Sequence, residues 1–571
     1  MRCRVRPHDA LWPSPAQWAV LHDCGGGRLI RVHSPFSGCG RGAAHRACRY
    51  AITYLRDEPG LTQRSGDAGA RISRPSAYAV RARDAADVAA AVEFARQHRL
   101  LPVIKSAGHR YQRTSDAPDS LLIGTRDMDR ITIEESFQPV GRASERPHTA
   151  VSIAAGAVWM DAYHAVTTVA GRYVQGGDCA TVGVAGLVQS GGFGSFSKHF
   201  GTRAAALLRA EVATAGGGIR RVNANRDADL FWPLKGVGGT FGVVTGVWLR
   251  VRELPDQCAA VFATIPAHSD AAFRRVIDRF TLSCRENLIN PHWGETVTFH
   301  RDRELTLWRV PSGRTRAPME APWGPFFTWV RAAPQDLQLQ ASLLGPTLIG
   351  AIPARHGWDA RFWERERPGT MTPDPRPGAP TYHPWWMGDG AQAGAFVHGH
   401  ASRWLPRALL DEPQRERLAD ALFDASRRWD VTRHFRKGLA EAPRKAVEAA
   451  RDTAMNPAAL DAFALAILRA GGPSTFPALP GANADLTVAH REAPAITRSS
   501  GIRRRIVPGG GSYVSESDYF HADWQHAFCS AHYPGLSAVK MKYDPASLFF
   551  LHHGVGSEYR SADGFSPKRR G

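Results

Sequence analysis

From Arg74 onward, apolar positions fall into short alternating runs separated by runs of helical spacing. Tyr78, Val80 and Ala82 alternate with small or charged residues, the two-residue period of a strand. Asp84 then precedes Val88, Ala91, Val92 and Ala95, apolar positions that recur at helical spacing behind a capping residue. Pro102-Val103-Ile104-Lys105 predicts a second strand, which runs into the small-residue turn Ser106-Ala107-Gly108-His109-Arg110-Tyr111. This is a β-α-β unit with an imidazole at a strand end, where open α/β sheets place ligands.

The pattern continues with a strand over 150–154, Gly156, a helix over 159–169, and two strands, 208–214 and 219–222, joined by three glycines. A short helix over 227–232 precedes Gly236–Gly242, and Val243, Val247, Leu249 and Val251 close the unit as a long strand. Past Pro255 glycines thin out, and helices are predicted over 271–280, 416–429 and 459–468. Residues 1–70 are Gly-, Arg- and Pro-rich with weak periodicity, and 506–571 return to short motifs. The domain reading is therefore a poorly defined segment 1–70, a first domain 71–255, a second domain 256–505, and a tail 506–571 that returns to the first.

Between 175 and 194, seven of twenty positions are glycine. Such a backbone takes positive φ readily and lets a ligand approach its amides, and successive N–H groups suit phosphate oxygens. Within it stand Cys179 and Thr181. Gly236–Gly242 invites a dinucleotide-fingerprint reading, but a helical stretch precedes it and a strand follows, the reverse of the order that motif needs. His109 and Cys179 thus lie in two glycine-bearing turns of one α/β unit. Three readings stand: metal ligands without a third or fourth partner, a Cys-His hydrolase, or attachment points for a cofactor.

Composition narrows the classes. The net charge of +19 comes from arginines scattered along the chain, with no dense basic block or zinc-finger signature, so a nucleic-acid-binding role is the minor alternative. No run approaches the roughly 20 apolar residues of a membrane helix. Eight cysteines include no CxxC pair, which leaves no structural zinc site, and Cys39 and Cys48 are near enough in sequence to pair in an exported protein. Residues 1–23 contain no apolar signal-peptide core, so the expected location is cytoplasmic, with export if the N-terminus is incomplete.

These residues also carry a resemblance. Lys105–Tyr111 resembles the histidine loop of FAD-linked oxidases of the berberine bridge enzyme type, a branch of the vanillyl-alcohol oxidase superfamily that includes glucooligosaccharide oxidase. Cys179-Ala180-Thr181-Val182-Gly183 is similar to the segment whose cysteine makes a second flavin bond. Ser190–Gly194, Asp229–Trp232, Gly239–Thr245, Ala538–Lys540 and Tyr543–Pro545 match in order. Resemblance is good over 74–255, moderate over 510–555 and loose between.

The resemblance implies an α+β fold: a two-subdomain PCMH-type FAD-binding domain plus a substrate domain with a mainly antiparallel sheet flanked by helices. It implies FAD held covalently by His109 on the 8α-methyl and by Cys179 on C6. Further cofactor contacts would come from Lys105, Ser106, Ala107, Gly108, Tyr111, Thr114, Ser115, Gly156, Thr181, Val182, Gly183, Gly186, Ser190, Gly191, Gly192, Gly194, Val243, Val244 and His552. The family's Tyr-x-Asn-Tyr pattern falls on Tyr513–Glu516, which makes Glu516 the expected base, with Tyr513, His292 and Glu295 behind it. The implied reaction oxidises an alcohol or hemiacetal of a sugar-like or secondary-metabolite substrate, with dioxygen as acceptor. The alternatives are oxidative cyclisation or dehydrogenation on the same scaffold, and a degenerate copy, since 308–320 reads unlike its flanks. Val237 would be costly if its φ were positive, and Cys529 stands where an aromatic residue is usual.

Overall fold

The computed structural model describes residues 2–37, 55–110, 115–141, 146–292, 294, 296–308, 320–341, 349–390, 393–479 and 483–568. Among the described residues, the mixed α+β architecture has two larger sheets in the first domain and one large sheet in the second, with a two-stranded ribbon in each. The first sheet runs Leu29–Arg31, Tyr78–Arg81, Leu121–Gly124, Pro102–Lys105, with the last three strands parallel. The second is antiparallel, in the order Ile219–Val222, Leu207–Ala213, Val243–Arg250, His148–Ala154, Ile131–Phe137.

Helix Ala85–Gln97 lies between these sheets. Asp84 Oδ1 accepts from the amides of Ala86 (2.9 Å) and Asp87 (3.0 Å), satisfying two donors of the first turn. Its apolar stripe, Val88, Ala91, Val92 and Ala95, is buried against Val80, Leu121 and Ile123 of one sheet and Ala213 and Val243 of the other.

The segment 2–37 joins this core. Val5, Trp18 and Leu21 are buried in the same cluster, and Leu29–Arg31 pairs with Tyr78–Arg81. Arg64–Asp67, by contrast, adds to the second domain's sheet, parallel to the strand Ala395–Pro406. The N-terminal 70 residues are thus divided between the two domains. Weak periodicity hid this, because short edge strands carry too few positions to establish a period.

The second domain's sheet runs Gln257–Pro266, Glu304–Trp308, Thr296–Phe299, Val431–His434, Ala462–Ser474, Ala395–Pro406, Arg64–Asp67. Helices Asp270–Ser283, Gln414–Ser426 and Leu486–Ile506 supply much of the rest of its core. One expectation fails here: 459–468 is a single helical turn followed by the central strand Ala462–Ser474. Ala462 to Leu468 are all buried, and a strand covered on both faces shows an unbroken apolar run that periodicity cannot tell from a helix.

The tail closes onto the first domain through a buried ion pair. Lys540 Nζ donates to Asp544 Oδ2 (2.5 Å), to Thr240 O (2.6 Å) and to Phe549 O (2.9 Å). Asp544 also accepts from the amides of Leu548 (2.7 Å) and Phe549 (2.9 Å). Arg4 reaches the same turn, donating to Ser547 O (2.7 Å) and Leu548 O (2.9 Å). Removing one member of such a pair strands the other charge in the interior. Asp544→Ala is therefore expected to cost about 3–5 kcal/mol in urea unfolding, with a far smaller change for Asp411→Ala in an exposed pair.

Candidate active site

The strand Pro102–Lys105 ends at the wall of a cavity of about 990 Å³ between the two domains. Lys105 lies behind the wall and anchors it, its ammonium donating to Leu55 O (2.8 Å) and to Glu58 O. Ser106, Ala107, Gly108, His109 and Arg110 then line the cavity. The glycine-rich stretch supplies Cys179, Val182, Gly183, Gly186 and Ser190, and the start of Val243–Arg250 supplies Val243 and Val244. Ser115 lines it as well.

Thr181 brings the two expected attachment points together. Its hydroxyl is 2.8 Å from His109 Nε2 and 3.5 Å from Cys179 Sγ. Burial, then the positive charges of Arg64, Arg56 and Lys105, push the His109 imidazole down to about 3. It is neutral at ordinary pH and keeps a lone pair for bonding. Burial, with the nearby Asp389 carboxylate, pushes the Cys179 thiol up to about 12.

The remaining expected residues divide by role. A Cβ on Gly156 would sit 1.9 Å from Thr125 O and one on Gly194 2.4 Å from Gly176 O, so these glycines permit close backbone packing behind the cavity. Gly191 and Gly192 likewise pack on Met455 and Arg203. Positive φ falls on Gly236, Gly238 and Gly239 but not on Val237, which is buried in the core, so its β-branch costs nothing there. Cys529 is buried in that same core. Tyr111, Thr114, Glu295, 309–319, Cys39 and Cys48 lie outside the described residues.

The second domain faces the cavity with the polar side of its sheet. Thr296 and Thr298 line it while Val297 and Phe299 point into the core, and Thr432 and His434 line it while Val431 packs inward, the two-residue alternation of strands. Tyr513, Ser515 and Glu516 also line it. Their turn is held by Ser512 N to Ala527 O (2.7 Å) and by Ser402 Oγ to Ser512 Oγ (2.6 Å). The Glu516 carboxylate is ion-paired to the ammonium of Lys437, which stands 5.8 Å from the centre of the Tyr513 ring. Burial and the Glu516 charge push the Tyr513 hydroxyl up to about 12.

Two expected residues stand apart. His292 is not part of the cavity wall; its ring lies 6.0 Å from that of His199. His552 is also off the wall, stacked 3.9 Å from both Tyr519 and His553, with Nε2 2.7 Å from Tyr519 O. The reading from sequence missed Arg64, Lys437 and Asp389 as wall residues. Arg64 and Lys437 belong to no motif; Asp389 follows the aromatic pair Trp385-Trp386, in the short helix Met387–Gly390, the one signal available.

The wall fits a flavin nucleotide. Ser106 Oγ and Thr240 Oγ1 are buried on it without a hydrogen-bond partner among the described residues, and buried hydroxyls ordinarily have one. Residues 76–223 match the family model of a FAD binding domain. A VAO-type flavoprotein oxidase of Thermothelomyces thermophilus is 25% identical, with 98% of this chain and 94% of that protein aligned. The crystal structure of the VAO-type flavoprotein MtVAO615 from Myceliophthora thermophila C1 superposes with a TM-score of 0.77 at 23% identity, covering 98% of this chain and 99% of that one.

The fold and site define a FAD-dependent oxidoreductase. Residues 76–223 match a FAD binding domain, and the chain is similar to a VAO-type flavoprotein oxidase over nearly the whole length of both. Its fold is shared with the glucooligosaccharide oxidase of Acremonium strictum (TM-score 0.64, 16% identity, 94% of this chain and 99% of that one), which carries a 6-S-cysteinyl, 8α-N1-histidyl FAD.

His553 gives a pH prediction that does not involve the cofactor. Burial and the neighbours His552 and His521 push it from its ordinary 6.5 to about 3. The fold holds the neutral ring, so its contribution to stability is complete above pH 6.5 and is lost as pH falls toward 3. The loss is up to about 1.4 kcal/mol per pH unit. Urea midpoints measured from pH 7 to 4 are expected to fall less steeply in His553→Gln, by up to one proton's slope.

Proposed function

We propose that the chain is an oxidase carrying FAD bonded to both His109 and Cys179, which oxidises an alcohol or hemiacetal carbon of a sugar-like or secondary-metabolite substrate with dioxygen as acceptor. The observation that supports it is the Thr181 hydroxyl shared by the imidazole and the thiol. That contact sets two nucleophiles on one side of a cavity large enough for a dinucleotide and a small substrate. When bound, the flavin supplies the two-electron redox chemistry that no side chain can.

The chain's own residues do the rest. His109 is kept neutral by burial and neighbouring cations, so its ring nitrogen is free to bond carbon. The hydroxyls of Ser106 and Thr240 are donors without a partner among the described residues, suited to polar groups of the cofactor. Thr298, Thr432 and His434 present polar groups to a hydroxylated substrate, and Trp358 and Trp386 present flat apolar faces. Glu516 is the base that accepts the substrate's hydroxyl proton, and Lys437 fixes its carboxylate in place. The carbon-bound hydrogen then leaves as hydride.

Positioned general bases contribute roughly 10²–10⁴-fold. In anaerobic stopped-flow with a reactive alcohol, Glu516→Gln is expected to slow flavin bleaching by at least about 100-fold, with bound flavin and dithionite reduction unchanged. One hydrogen peroxide per substrate oxidised is expected from the parent. Equal bleaching rates would remove Glu516 from this role, and turnover without peroxide would remove dioxygen as acceptor.

A further inference from the structure

Beside Cys179 the cavity wall carries a carboxyl group that the oxidation just described does not use. Asp389 lies in the short helix Met387–Gly390 of the second domain, directly after the strand Trp385–Trp386. It shares this end of the cavity wall with Cys179 of the first domain, and its carboxylate is one of the neighbours that hold the Cys179 thiol up. Its Oδ2 is buried with no hydrogen-bond partner among the described residues. That oxygen keeps its acceptor capacity open.

Cys179 needs such a partner. The thiolate, and not the thiol, bonds to carbon, and this thiol is pushed up to about 12, so ionisation before reaction is negligible at neutral pH. Thr181, its other neighbour, favours the thiolate as a hydrogen-bond donor but takes no proton. Burial and the adjacent Asp178 charge raise Asp389 to about 6, which makes it a stronger base than an ordinary carboxylate while leaving it ionised at pH 7.

We propose that Asp389 is the base that takes the thiol proton of Cys179 when this cysteine bonds to the flavin ring, and that it serves cofactor attachment and not substrate oxidation. The inference rests on the double attachment proposed above. The Cys179 sulfur forms a bond to a ring carbon in place of that carbon's hydrogen, and the thiol proton passes to Asp389 as the bond forms. The displaced hydrogen leaves as a proton. The electron pair set free goes to dioxygen, which takes up two protons and leaves as hydrogen peroxide. Because acid and base come from different domains, the sulfur bond forms only in the fully assembled chain.

The test uses full-length protein expressed with added riboflavin. In His109→Ala, Cys179 is the remaining attachment point, and acid-precipitated protein is expected to stay yellow. Adding Asp389→Asn is expected to lower the flavin in the acid precipitate at least tenfold, with the flavin bound before acid unchanged. Asp389→Glu in that background is expected to restore part of it. In otherwise parental protein, Asp389→Asn should leave flavin on the tryptic peptide of His109 and remove it from that of Cys179. Equal retention in His109→Ala and His109→Ala/Asp389→Asn would overturn the role of Asp389 while leaving double attachment intact. A parent whose Cys179 peptide never carries flavin would remove the second bond and this inference together.

Discussion

One hydroxyl, that of Thr181, fixes the relation between the two ring-binding side chains. His109 comes from the turn after a parallel strand and Cys179 from a glycine-rich stretch 70 residues on, and nothing in the chain between them dictates that they meet. They meet because the glycines let two backbone turns approach closely: a Cβ on Gly183 would lie 2.6 Å from Ser106 Oγ. The two turns therefore bear directly on each other, and a side chain at that glycine would have to displace the Ser106 hydroxyl. The geometry of the site is thus a consequence of backbone packing as much as of the side chains that line it.

Burial then sets the protonation states. The same dry wall that lowers His109 raises Cys179, because removal from water disfavours the charged form of each. For the imidazole this produces the reactive form outright. For the thiol it produces the unreactive one, and a base is needed to correct it. Glu516 is half-buried beside a lysine and not alone, so it reaches the cavity as one half of an ion pair with a fixed direction. The net charge has a related internal component. Arg64, Arg203, Arg433 and Arg503 are almost completely buried, so part of the basic excess lies within the fold and not on a face that would meet a polyanion.

Much of this was legible from residues alone where local chemistry dominates. The cap at Asp84, the strand ending at Lys105, the long strand from Val243 and the glycine turns each follow from short-range rules, and the structure has them in place. Legibility failed where an element depends on what covers it. The central strand Ala462–Ser474 reads as a helix because both its faces are buried. Arg64–Asp67 reads as nothing because its partner, the strand Ala395–Pro406, lies more than 300 residues away. The same limit hid Lys437 and Asp389, whose importance comes from the side chains they face across the domain boundary and not from their sequence neighbours.

The central claim is that His109 and Cys179 hold the same flavin. Mass spectrometry of the denatured chain tests it most directly. The account predicts a mass raised by one FAD in the parent, still raised in His109→Ala and in Cys179→Ala, and equal to the sequence mass when both are replaced. A parent chain that binds FAD when folded but shows its bare sequence mass once denatured would contradict it.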